Sequence, residues 1–163
     1  MARSQTVPFS RKTLSRLAFG LLLSAVTGCT WAKSAQCTKL MDVVHRGNSL
    51  ITAKRDRFDA TTTQQLATEL EGIAEQAKSL NLRNKILQEL QTGYGENFGE
   101  MAKALNDMGQ ALEVGETMTV SVEGRQQLNQ AKERMENATE AANRAADRTD
   151  ALTQELISYC PTK

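Results

Sequence analysis

Residues 125–159 read RQQLNQAKERMENATEAANRAADRTDALTQELISY. Leu128, Ala131, Met135, Ala138, Ala142, Ala145, Thr149, Leu152 and Leu156 recur at alternating steps of three and four. That spacing puts all nine on one stripe of a helix, the seam of a coiled-coil-like packing. The seam is rich in alanine, so a partner backbone can approach closely. At ~1.5 Å per residue the helix would be roughly 50 Å long. Glu140 and Arg144 form an i,i+4 pair off the seam, and Pro161 stops the helix.

Upstream, the same period returns three times. The first helix is expected to start near Ser34 to Cys37 and run to about Arg57, with Cys37, Leu40, Met41, Val44, Leu50 and Ile51 inward and Gly47 weakening its middle. A turn over Asp59 to Thr63 follows, where Thr61 and Gln64 have capping-box spacing. The second helix carries Leu66, Leu70, Ile73, Ala77 and Leu80, with Asn81 and Asn84 as punctuation beyond it. The third carries Ile86, Leu90, Tyr94, Phe98, Met101, Leu105, Met108 and Leu112. Gly93, Gly95 and Gly99 interrupt it, and three glycines so close predict a kink or close contact with a neighbouring helix. From Glu113 to Arg125 threonines, valines and two glycines break the pattern, which predicts a long loop with room for one short strand.

The fold class expected is therefore all-α, an up-down four-helix bundle. Composition agrees: aromatic residues make up 4% of the chain, few for a β-sandwich, and helix formers dominate.

The first 28 residues differ from the rest. Arg3, Arg11, Lys12 and Arg16 precede the apolar run Leu17 to Val26, and no acidic residue is present. A basic region before about ten apolar residues is a signal-peptide layout, too short for a permanent membrane span. The segment Val26-Thr27-Gly28-Cys29 follows. It resembles the lipobox of bacterial lipoproteins, which implies cleavage before Cys29 and lipid on its thiol. Two or more acyl chains anchor a protein stably where one does not. The expected organisation is a signal peptide over 1–28, a lipidated tether over 29–36 with Trp31 at headgroup level, and a helical domain over 37–160.

With the leader removed, 16 of the 20 basic residues remain against all 19 acidic ones, a charge of about −3. No basic patch suits nucleic acid.

Cys37 and Cys160 are the cysteines left after Cys29. In an exported chain an even remainder predicts one disulfide. The pairing also constrains topology, because the two ends of an up-down bundle meet only when the helix number is even. With three helices they would lie far beyond the ~7 Å Cα separation that a disulfide tolerates.

The lipobox, the opening Cys37-Thr38-Lys39-Leu40, the leucine-rich middle and the terminal Tyr159-Cys160 together resemble small bacterial lipoproteins of cyanobacterial type. The resemblance implies location and fold but no activity.

Chemistry is thinly represented. His45 is the one histidine. It lies a turn after Met41, yet no Cys-x-x-Cys-His is present and a lone helical histidine reads as a surface residue, so no haem is expected. Glu-x-x-His pairs, zinc spacings, a Gly-x-Ser-x-Gly elbow and a phosphate loop are absent. No catalytic, metal or cofactor residues are assigned and an enzyme is not expected. Two functions remain: an interaction or scaffolding module in the cell envelope, held to the membrane through Cys29 and bound to an envelope protein, or a binding protein for a small apolar ligand held between the helices. An exposed apolar patch would favour the first, an enclosed pocket the second.

Overall fold

The computed structural model of the chain describes residues 25–54 and 56–160, with side chains from Lys33 onward. Four helices follow one another: α1 (Ala25–Lys54), α2 (Ala60–Lys78), α3 (Lys85–Thr117) and α4 (Val122–Tyr159). Two compact units are distinguished, Met1–Ala35 and Gln36–Lys163. Of the first, residues 25–35 are the N-terminal turns of α1. The second is the all-α four-helix bundle that the periodicity predicts. No strand is present among the described residues.

Helix ends are set by identifiable caps. Asp59 opens α2: its Oδ1 accepts from the Thr62 backbone N–H at 2.8 Å and its Oδ2 from the Thr62 hydroxyl at 2.7 Å. These bonds hold the Asp59 carboxyl below the ordinary carboxylate range. The expected Thr61–Gln64 box is not used; the cap lies two residues earlier, where a carboxylate is the stronger acceptor. At the other end of α2, Gln91 Nε2 lies within 2.9 Å of the carbonyls of Ala77, Lys78 and Leu80, satisfying acceptors that a helix C-terminus leaves open. Asn84, expected as punctuation, is the N-cap of α3, accepting from the Leu87 N–H at 3.1 Å.

Two boundaries differ from expectation. The helix expected to begin between Ser34 and Cys37 begins at Ala25, so the tether of 29–36 is helical; Ala32, Lys33, Ala35 and Gln36 are good helix formers, and no proline interrupts the segment. The long loop expected over Glu113–Arg125 is a four-residue turn, 118–121. α3 continues to Thr117 because the amphipathic face extends through the buried Ala111, and Glu116 accepts a hydrogen bond from the N–H of Ala60 at 3.4 Å. Ser121 then caps α4 by accepting from the Gly124 N–H at 2.9 Å. A side chain at Gly124 would fall on the Thr119 carbonyl oxygen, so glycine permits the turn to be this tight.

The large core side chains belong to the half of the bundle nearer the disulfide. Leu40, Leu70, Leu87, Tyr94 and Phe98 are fully buried there, with Ala145, Leu156 and the cystine packed around them. Tyr94 and Phe98 stack with ring centroids 5.9 Å apart. Burial raises the Tyr94 phenol, whose oxygen lies 3.0 Å from the Thr153 hydroxyl. α1 ends at Lys54, ion-paired to Glu69 midway along α2 at 2.7 Å. Past that level the buried positions are mostly small: Ala60, Ala67, Ala104, Ala111, Ala131 and Ala138. On α4 the predicted seam is buried at Ala131, Ala138, Ala145, Thr149 and Leu156 and half-buried at Met135, Ala142 and Leu152. Leu128 departs from it, 41% exposed in the outermost turns.

The glycines divide by what stands opposite them. On α3, Gly93 faces the Leu152 side chain and Gly95 faces Lys78 and the Ala74 carbonyl, the close contacts expected of this cluster; Gly99 has nothing within 4 Å of a built Cβ. The helix runs unbroken through all three. Gly99→Ala is therefore expected to stabilise the fold by up to ~1 kcal/mol through helix propensity alone. At Gly109 a Cβ would come within 3.3 Å of both the Ala60 carbonyl and the Gln64 nitrogen, backbone atoms that cannot yield cheaply. Gly109→Ala should therefore destabilise, by about 1–3 kcal/mol. Thermal melts of the two variants giving shifts of the same sign would refute this packing of α2 on α3.

Candidate functional site

The sequence singles out three cysteines, and they fall in different places. Cys29 lies in the first turns of α1; its side chain, that of Trp31, and residues 1–24 of the expected signal peptide lie outside the described residues. Cys37 and Cys160 are joined, with a Cα separation of 5.8 Å across 123 residues of sequence. Both sulfurs are screened from solvent, the residues being 6% and 5% exposed. The bond sits where the start of the second unit meets the end of α4. Around it Gln36 Oε1 accepts from the N–H groups of Arg83 and Asn84 at 2.5 and 3.0 Å, and Asn84 Nδ2 donates to the Tyr159 hydroxyl at 2.8 Å. Residues from α1, the α2–α3 turn and α4 are thus tied together at one end of the bundle.

Ile86 and Ile157 are exposed near the cystine, but the most exposed large apolar side chains lie at the opposite end. Phe58 in the α1–α2 turn is 75% exposed, Val120 in the α3–α4 turn is fully exposed, and Val122 is 69% exposed. The up-down topology brings these two turns to the same end, and the Ala60–Glu116 hydrogen bond links them. With Leu128 they make four large apolar side chains in water at one tip.

His45 is exposed on α1. Among the described residues no group of three His, Cys, Asp or Glu side chains is placed to hold a metal ion, and no helix is long and apolar enough to cross a membrane.

Open grooves run along the α3–α4 interface. The larger, about 660 Å³, has alanine at its floor (Ala104, Ala138) and charge at its rim (Asp107, Arg134, Arg144). The second, about 380 Å³, lies between Gly93 and Leu152 and is bordered by Asn97. Asn97 is 3% exposed. Its Nδ2 donates to the Ala145 carbonyl at 2.7 Å and the Thr149 hydroxyl at 2.5 Å, while its Oδ1 has no partner. Sequence reasoning passed over this residue. The one available signal was a polar residue beside Phe98, one position from the apolar stripe of α3.

The chain matches no protein-family model, no curated protein and no solved structure.

Proposed function

We propose that the protein is a lipoprotein of the bacterial cell envelope, processed at Cys29 and held to a membrane by lipid there, whose helical bundle holds or scaffolds another envelope protein. The observation that carries this reading is an apolar tip, Phe58, Val120, Val122 and Leu128, at the end of the bundle away from the cystine, in a chain whose sequence also holds a lipobox. Four such side chains in water lower the cost of association with a partner that covers them. The buried cystine accords with an exported protein. Carriage of an apolar ligand is less well supported. The grooves found are open and rimmed by charge, whereas an apolar ligand needs an enclosed, mostly apolar chamber.

Cys29→Ser is expected to abolish lipidation and to release the processed chain from the membrane fraction. Metabolic labelling with a palmitate analogue that still marks this variant would refute the anchor. For the tip, a photo-crosslinking residue at Val120 should capture a discrete envelope protein. Val122→Glu should abolish that capture and Glu140→Ala preserve it. Equal capture by both variants would remove the tip as the partner surface.

A further inference from the structure

We propose that the partner meets the apolar tip with a basic amphipathic segment, its apolar side chains on Phe58, Val120, Val122 and Leu128 and its lysines or arginines on the carboxylates around them. This rests on the scaffolding reading above and names the partner's chemistry. The fold does not account for the apolar half of that surface. Phe58 stands just before the cap of α2, where an apolar residue commonly folds back onto the first turns of the helix. Thr63 occupies the position it would meet and is buried, while Phe58 is left 75% exposed. In the other turn the cap comes from Ser121 and the close approach from Gly124, and Val120 and Val122 stand in solvent.

The same two turns are acidic. Residues 56–60 and 113–128 hold five carboxylates, Asp56, Asp59, Glu113, Glu116 and Glu123, against two guanidiniums, and all of these side chains are exposed. Hydrogen bonds between the elements gather them. Glu116 of α3 accepts from the Ala60 N–H, one residue past Asp59, at 3.4 Å, and Glu113 accepts from the Gln64 side-chain amide of α2 at 3.3 Å. Along the sides of the bundle, carboxylates such as Glu69, Glu100 and Glu140 are paired with bases; among the described residues Glu113, Glu116 and Glu123 are not. The apolar patch thus lies in a negative field with little internal neutralisation, and the sign of such a field selects the partner.

That field decides among the occupants an apolar tip could take. A second copy would bring an equally acidic tip against the first, and like charges at close quarters oppose the contact. Anionic lipid headgroups are repelled for the same reason. A purely apolar surface would cover the valines but strip water from the carboxylates beside them, a cost that no group on such a partner offsets. A segment that carries both kinds of side chain meets both requirements. The long stems of lysine and arginine lie along apolar surface and deliver their charge to its rim.

The test is a titration of the full chain, disulfide intact, with an amphipathic leucine–lysine peptide of about 18 residues, or about five helical turns. The backbone amides of Phe58 and Val120 are followed in NMR spectra. Saturable shifts at both are expected, with a Kd below about 100 μM at low salt that rises as salt is added. The Glu113→Gln, Glu123→Gln double variant and, separately, the Val120→Ser, Val122→Ser double variant should each weaken binding about tenfold. Glu140→Gln should leave it unchanged, and the leucine–glutamate counterpart of the peptide should not bind. No saturation, equal binding of the two peptides, or equal affinity of all variants would overturn the proposal. So would a dimer in sedimentation that Val120→Ser abolishes, or the same amides shifting with phosphatidylglycerol vesicles, which would put a second copy or a lipid surface in the partner's place. The two readings fail separately. A discrete protein captured at Val120 without peptide binding would keep the scaffold and remove the basic segment; peptide binding without capture would remove the scaffold and keep the tip's preference for a basic segment.

Discussion

Replacing Cys37 and Cys160 together by serine is expected to lower stability by several kcal/mol while leaving helix content unchanged at low temperature. The bond closes a loop of 123 residues, nearly the whole helical domain. Loop-closure entropy for that length gives about 5 kcal/mol as an upper figure, from restriction of the unfolded chain. Against a typical domain stability of ~5–15 kcal/mol that is a large share. Denaturant melts with circular dichroism measure it, and non-reducing peptide mapping should recover the Cys37 and Cys160 peptides joined within one chain. Alkylation of both thiols in freshly isolated, unreduced protein would refute the bond. A double variant as stable as the parent would refute its contribution.

The second large effect is expected at Phe98. Its ring is fully buried, stacked on Tyr94, and seated over Gly47 of α1 so closely that a Cβ there would come within 2.7 Å of the ring. Phe98→Ala removes the ring and leaves a cavity, a change that costs about 3–5 kcal/mol in a core of this kind. Gly47→Ala alone should also destabilise. The ring is fully buried and stacked on Tyr94, so making room means overpacking, which costs about 1–3 kcal/mol and offsets the ~1 kcal/mol gained in helix propensity. The two changes must then be coupled. With the Phe98 ring gone, Gly47→Ala should become neutral or favourable. A double-mutant cycle measures this, and strictly additive effects would mean that α1 does not rest on Phe98.

Gly47 also marks a limit of sequence reasoning. Read along the chain it is a weak point in a helix, because propensity is a local property. Its use as a seat for an aromatic ring becomes visible only when another helix is laid against it. The heptad stripe of α4 was legible because an alternation kept over nine positions has no other explanation. The disulfide was legible from cysteine parity and an even helix count. The turn at 118–121 was misread because Thr117, Thr119 and Val120 favour extended structure, while the caps and contacts that continue α3 and restart α4 outweigh that preference. Asn97 escaped notice for the same reason as Gly47: its partners, Ala145 and Thr149, lie about 50 residues away.

The cystine also has a mechanical meaning. It joins a residue at the very start of the bundle to the last residue described after α4. Tension applied between the segment before Cys37 and the C-terminus therefore passes from one cysteine to the other through two sulfur atoms. The 123-residue loop between them is bypassed, and its helices feel almost none of the pull. Only a force applied at the far tip, between Phe58 or Val120 and the segment before Cys37, is transmitted along the helices. A chain tethered at its N-terminus would thus resist tugging at its tail while remaining extensible from its tip.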